Sequence, residues 1–521
     1  MAGGARPLRP ALWAGGAAAA ALLALTLGTV AAVLWRAGGR GAWPGPADWS
    51  AVRFTLAQAA LSAAISTALA VPVARALARR RFRGRGAILA LLGAPFILPT
   101  IVAVLGLLAV YGRSGWISDI LRGFGLGPVS IYGLGGVVLA HVFFNLPLAV
   151  RLILQGWLDI PAERFRLAAS LGMGAAEVAR FLERPMLRAV APGVAVTVFL
   201  ICLTSFAVAL ILGGGPRATT VELAIYQAFR FDFDPGRAAV LAVLQFAVCV
   251  AAAVLAARMT VPSGFGAGLD RTAERWDSRG RVARAGDAAL IGVTALFLAM
   301  PLAAIVAAGL PHLAGLPASV WAAAARSVVM ALASAGLTLA LALALGLGGL
   351  GRGPRLFEAA GMLTLAASPL VMGTGLFLVL QPLADPAALA LPVTVVVNAA
   401  MALPFALRAI LPGLRESEAT FGRLADSLGL HGFARLRLVT LPRMRRPLGF
   451  AGGLAAALAM GDLGVVALFA DPDRATLPLQ VFRLMGAYRM EQAAAAALLL
   501  LALSLSLFWI FDRGGRLHAD T

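Results

Sequence analysis

Between Pro161 and Pro185 the chain reads PAERFRLAASLGMGAAEVARFLERP, a charged, amphipathic island set between two apolar runs. The island returns between Pro412 and Pro442 as PGLRESEATFGRLADSLGLHGFARLRLVTLP. Placing Leu171-Gly172 on Leu428-Gly429 fixes an offset of 429 − 172 = 257 residues. The same offset puts Pro147 on Pro404, Arg151 on Arg408, Ala168 on Ala425, Ser170 on Ser427 and Pro185 on Pro442. It also lays Arg217-Ala218-Thr219 on Arg474-Ala475-Thr476. A register held over so many positions is an internal duplication, and the chain is read as two copies of one unit.

What surrounds the islands is apolar. The chain is 60% hydrophobic and only 13% charged, where a soluble protein carries roughly a quarter. Runs of about 20 apolar residues, enough to cross a hydrocarbon core of roughly 30 Å, recur throughout. Twelve spans are expected, at about 11–34, 54–78, 87–110, 131–154, 190–212, 238–258, 286–309, 325–349, 357–380, 389–411, 447–470 and 491–512. The first follows Arg6 and Arg9 as a signal peptide would, but its length argues for a retained helix. The stretch 259–285 is polar and turn-rich and reads as a linker between a first half, 1–258, and a second, 286–521. Six spans per half give both halves one orientation, so the repeat is parallel, with its pseudo-twofold axis along the membrane normal. The expected fold class is therefore all-α and polytopic.

Arginine sets the orientation. Formal charge is +20, and the sequence contains no lysine. Arg75, Arg79, Arg80, Arg81, Arg83 and Arg85 follow the second span. Arg258, Arg271, Arg275, Arg279, Arg281 and Arg284 crowd the linker, and Arg352 and Arg355 follow the eighth span. With the two islands they fall on one side, together with both termini, and the positive-inside bias makes that side cytoplasmic. A nucleic-acid partner would need a basic soluble domain, and none is present. Without lysine no Gly-x-x-x-x-Gly-Lys phosphate loop can exist, so the chain cannot supply an ATPase of that type. Cys202 and Cys249 lie inside apolar runs without metal-ligand spacing and read as buried structural residues.

Each island is expected to fold as helix, glycine turn, helix. Ala162 to Leu171 carries an apolar stripe near 3.6 spacing, Gly172 permits the turn, and 175–183 forms the second helix. The small Ala168 and Ala425 would let a partner's groove approach closely, as in helix-in-groove recognition. An amphipathic helix on the membrane surface is the alternative, but surface anchoring does not require two copies with matched Gly–Pro spacing.

The islands resemble the cytoplasmic coupling loop of ABC importer permeases, whose signature is Glu-Ala-Ala, three residues, Gly, then Ile-x-Leu-Pro with Pro thirteen after Gly. Here 185 − 172 and 442 − 429 are both 13. Leu182 and Val439 hold the Ile position, whereas Arg166 and Arg423 replace the Glu and Leu167 and Leu424 the first Ala. Further stretches narrow the likeness: 111–116 (YGRSGW), 141–147 (HVFFNLP), 213–228 (GGGPRATTVELAIYQA) and 461–469 (GDLGVVALF). With them the whole chain is similar to the fused two-half permeases of thiamine and thiamine pyrophosphate importers of Gram-negative bacteria. The resemblance implies a dimer of ATPase subunits, binding ATP and Mg, on the cytoplasmic side. That dimer would engage Ala168, Ala169, Ser170, Leu171, Gly172 and Pro185, and Ala425, Ser427, Leu428, Gly429 and Pro442. It also implies a periplasmic thiamine-binding protein, a bacterial inner-membrane location, and no catalytic residue, metal or cofactor on this chain. Ferric-iron importer permeases share the islands and are the alternative substrate class. A proton-coupled carrier of six plus six spans is the more distant one.

Polar residues inside spans are costly in lipid and face the interior by default. They are His141 and Asn145 on the fourth span, Asn398 on the tenth and Asp462 on the eleventh, and together they read as candidates for a substrate pathway. Asp462 would meet a cationic thiazolium in passing; interhelical hydrogen bonding is the structural alternative. The offset sends His141 to Asn398 and Ser205 to Asp462, so one polar position recurs. Glu222, beside Thr219 and Thr220, is expected in an outward-facing loop that docks a binding protein or caps a short helix.

Overall fold

The computed structural model describes residues 9–38, 44–215, 218–258, 280–350, 354–386, 388–469 and 474–516. Most of the expected linker, Arg217 and Arg6 lie outside them. Among the described residues eleven helices are long and apolar enough to cross a membrane, and a twelfth, Pro369–Leu380, is shorter. The protein is an all-helical, multi-pass membrane protein.

The first repeat opens with α1 (Arg9–Gly38) and α2 (Pro46–Arg79). Its third crossing, expected to be continuous, is broken into α3 (Arg85–Leu91) and α4 (Thr100–Tyr111). Pro95 and Pro99 fall in the break; neither can donate to a helical ladder. A short helix, α5 (Trp116–Gly123), precedes α6 (Leu134–Leu158). Island one holds α7 (Ala162–Ser170) and α8 (Ala175–Val178), and α9 (Arg184–Leu203) returns across the membrane. The expected span 190–212 breaks at 204–206, after which come α10 (Ala207–Leu212), α11 (Val221–Arg230) and α12 (Pro235–Ala257).

The second repeat copies this order as α13 (Arg281–Gly309), α14 (Ala318–Gly349), the broken pair α15 (Pro354–Met362) and α16 (Pro369–Leu380), and α17 (Ala390–Ser427). Then come α18 (Gly432–Arg435), α19 (Leu441–Met460), α20 (Gly464–Phe469), α21 (Leu477–Gly486) and α22 (Met490–Arg516). Pro412, where the second island was expected to begin, sits inside the continuous α17.

One device pins both copies. The Thr55 hydroxyl of α2 accepts from the Val221 N–H at 2.9 Å, and the Ser327 hydroxyl of α14 accepts from the Leu477 N–H at 2.8 Å. Each bond satisfies an orphan donor at the start of a short helix, α11 or α21. Thr55 and Ser327 are 327 − 55 = 272 residues apart, against 257 at the islands. The loop carrying α5, which has no counterpart, accounts for most of the difference. Thr55 lies nine residues into α2, about 14 Å along its axis at 1.5 Å per residue. The start of α11 is therefore set about that far along α2 from its N-terminal end, with its irregular backbone sheltered by protein.

The halves exchange their first helices. α1 packs on α14 and α16 of the second repeat, and α13 packs on α2 and α4 of the first. Gly15 allows α1 to touch α14: a Cβ there would come within 3.0 Å of the Gly348 Cα. At the other exchange, Arg79 and Arg80 hold the buried Asp287 of α13, with Nε–Oδ2 distances of 2.9 and 2.6 Å. The arginines expected on one side are thereby tied to one another's surroundings. Arg75 pairs with Glu183 of island one at 2.9 Å, so the loop after α2 and the island share a face. Gly515, near the end of α22, lies against Arg445 near the start of α19.

Candidate functional site: two islands and a polar interface

Both islands turn on a left-handed glycine, with φ of 67° at Gly172 and 66° at Gly429. Each then winds one π turn, at Ala179–Glu183 and Leu436–Thr440, positions again 257 apart. Pro185 and Pro442 follow within two residues of the next helix start. A proline ring collides with the carbonyl four residues earlier and offers no N–H; a wider turn relieves both.

The interiors differ. Island one closes on a small apolar core of Phe165, Ala168 and Val178, flanked by Ile160, Met173 and Leu182. Island two has Gly422 and Arg435 where island one has Phe165 and Val178. The Arg435 guanidinium donates to Asp426 at 2.7 Å and to Glu418 at 2.6 Å. Gly422 leaves the room: a Cβ there would come 3.1 Å from the Arg435 Nη2.

Ala168 and Ala425 were expected to face a partner. They are instead 3% and 2% exposed, inside the islands' own cores, where a larger side chain would prise the two short helices apart. The solvent-facing positions are their neighbours. Leu167 and Leu171 are 60% and 63% exposed, and Leu424 and Leu428 are 55% and 64%. Phe181 and Leu438, also in register, are exposed too. Each island thus presents an i, i+4 leucine pair and a third apolar side chain, the pattern of a groove-filling helix. Ser170 and Ser427 turn their hydroxyls back to the Leu167 and Leu424 carbonyls, both at 2.8 Å.

The expected pathway residues divide into two groups. His141 Nε2 is 2.8 Å from the Ser205 hydroxyl, and its Nδ1 is 3.4 Å from Ser62 of α2. Asn145 donates to the His141 carbonyl at 2.8 Å and to the Cys202 sulfur at 3.4 Å. Both are buried and tie α2, α6 and α9 together within the first repeat. In the second repeat the positions of His141 and Ser205 hold Asn398 and Asp462, which face one another, and Ala402 stands in the place of Asn145. The Asp462 carboxylate lies by the start of α20, beside the backbone of Gly464, Val465 and Val466. One of its oxygens and the Asn398 amide nitrogen are without a hydrogen-bond partner. This pair sits where the repeats meet: a Cβ on Gly461 would be 3.1 Å from the Pro99 Cα, and one on Gly464 would be 3.5 Å from the Phe206 ring.

Glu222 is not in an outward loop. It is fully buried on α11, beside Gln245 of α12 and Ser368 at the start of α16. The sequence signal was present: Glu222, Tyr226 and Phe229 recur at i, i+4 and i+7, one face of a helix. It is hidden by the Gly-rich approach, 213–215, which reads as loop.

Among the described residues, a duplicated bundle of eleven helices long enough to span a membrane and a shorter twelfth, with exchanged first helices and two matched islands, has the architecture of a permease, the membrane-spanning subunit of a transport system. No family model matches the chain. The comparisons with curated proteins are specific. The chain is 41% identical to the thiamine transport system permease protein of Salmonella typhimurium, over 99% of both chains. It is 41% identical to that of Brucella abortus, over 96% of this chain and 94% of the relative, and 40% identical to that of Escherichia coli, over 90% of each. The chain belongs to the family of thiamine transport system permease proteins.

Proposed function

We propose that this chain is the permease of a binding-protein-dependent ABC importer that carries thiamine and its phosphate esters inward across a bacterial inner membrane. The near full-length likeness to thiamine system permeases carries this reading. In it, the island face is cytoplasmic and both termini lie on that side. A dimer of separate ATPase subunits, binding ATP and Mg, takes Leu167, Leu171 and Phe181 into one groove and Leu424, Leu428 and Leu438 into the other. A periplasmic binding protein delivers substrate to the opposite face. Closure of the ATPase dimer moves island one, and the half-buried Arg75–Glu183 pair passes that motion to α2. No residue of this chain performs chemistry; its work is to part and close the two repeats.

Reconstitution into proteoliposomes with the ATPase and binding protein encoded beside it tests the reading. ATP-dependent uptake of labelled thiamine is expected. ATP-dependent uptake of ferric iron would keep the architecture and overturn the substrate. Uptake that follows a proton gradient and ignores ATP would overturn the importer assignment itself.

A further inference from the structure

We propose that Glu222, with the aromatic face it heads on α11, is a cation-selecting station on the translocation route, and that it takes a flat organic monocation. The proposal rests on the importer reading above and names the residues that would sense the substrate's charge.

Glu222 is 0% exposed, neither carboxylate oxygen makes a hydrogen bond of ordinary geometry, and Ser368 and Gln245 are the polar side chains beside it. An unpartnered buried carboxylate costs several kcal/mol or takes up a proton. An ionisable group buried among membrane-spanning helices is by default a candidate for a pathway. Helix capping does not explain this one. The start of α11 is already satisfied by the Thr55 hydroxyl at Val221 and by the Thr220 hydroxyl, which accepts from the Leu223 N–H at 3.3 Å. The second repeat supplies the control. There α21 starts under the Ser327 hydroxyl in the same way, and Pro478 stands where Glu222 stands in α11. The helix start therefore holds without a carboxylate, and the charge is an addition of the first repeat alone.

The aromatic side chains on the same face of α11 as Glu222 suit a cation. Tyr226 stacks edge-on to Phe206 at 5.3 Å between ring centroids, and Phe229 meets Phe377 of α16 at 5.1 Å. Phe377 in turn meets Phe469 of α20 at 5.6 Å. Faces of aromatic rings attract cations through the ring quadrupole, and a carboxylate beside them supplies the net charge. A thiazolium ring is such a cation. The cluster also bridges the repeats: Glu222, Tyr226 and Phe229 belong to the first, and Ser368, Phe377 and Phe469 to the second. Parting the repeats would open the aromatic face to the ring, and closing them would withdraw it.

The test uses the complete complex in proteoliposomes, with ATP hydrolysis and uptake measured together. Two probes are supplied on the binding protein: thiamine, and its neutral isostere with a thiophene in place of the thiazolium. Glu222→Gln is expected to carry at least tenfold less thiamine per ATP hydrolysed, while uptake of the neutral isostere and ATPase stimulation stay within twofold of wild type. Glu222→Asp is expected to retain thiamine uptake within threefold. Equal losses for both probes, unchanged thiamine uptake in Glu222→Gln, or an equal loss in Glu222→Asp would each overturn the proposal. A wild-type complex that fails with thiamine overturns the substrate reading as well, which separates the two failures.

Discussion

Island one closes on Phe165, Ala168 and Val178, whereas island two closes on Arg435 held between Glu418 and Asp426. The backbones nevertheless coincide, from the glycine φ to the π turn before the proline. The outward leucine pairs coincide too. What is held constant is the shape and the apolar surface left exposed; what varies is how each island stays folded. A second difference lies at the entry. Pro161 separates α7 from α6, while Glu418 stands at the matching position and α17 runs on unbroken to Ser427. Island one is thus joined to its membrane helix by a hinge and braced from outside by Arg75, and island two is a stiff extension of its helix.

The largest expected effect tests what is shared. Gly172→Pro or Gly429→Pro places a residue fixed near φ −65° where the backbone needs about +67°. Each is expected to leave membrane insertion intact, measured by protease mapping, and to abolish ATP-driven uptake. Normal transport by both would remove the coupling role from the islands. The next effect addresses the surface. Leu171→Asp and Leu428→Asp should each release one ATPase copy from the purified complex, measured by its mass, with uptake below a tenth of wild type.

The third prediction converts one island into the other. Arg435→Val should loosen island two, read as faster hydrogen exchange at 425–435, because Glu418 and Asp426 lose their partner and Gly422 leaves a gap. Adding Gly422→Phe should restore protection and uptake to within threefold of wild type, as Phe and Val then meet as they do in island one. Phe165→Ala, by contrast, removes a core aromatic at a cost of about 3 kcal/mol and should not be rescued by any charge. The smallest effect comes from salt. Raising ionic strength should speed exchange in island two by about twofold and leave island one unchanged, since partly exposed ion pairs are screened and apolar contacts are not.

The duplication, the membrane class and the matched shape of the two islands were legible because each rests on sequence distance: a fixed offset, runs of 20 apolar residues, and Gly-to-Pro spacing. The crossings broken at Pro95–Pro99 and before Pro369 were not, because apolar composition persists through the breaks and hydropathy reports depth rather than backbone path. The exchange of α1 and α13 leaves no local trace either; it depends on small contacts such as Gly15 on Gly348. Ala168 and Ala425 were placed on the wrong face because a small residue fits a tight core as well as a tight interface. Even the Arg-Ala-Thr register needs one refinement. Thr220 and Thr476 precede α11 and α21, so the helix of the first repeat starts one residue later than the 257 offset implies.

In the proposed importer, one chain offers two equivalent docking islands to a partner ATPase. The most direct measurement is the mass of the purified complex, taken for wild type and for Leu171→Asp and Leu428→Asp. Two ATPase copies per wild-type chain, falling to one in either variant and to none when both are combined, is the predicted result. One copy per wild-type chain, or two copies retained in the combined variant, would contradict it.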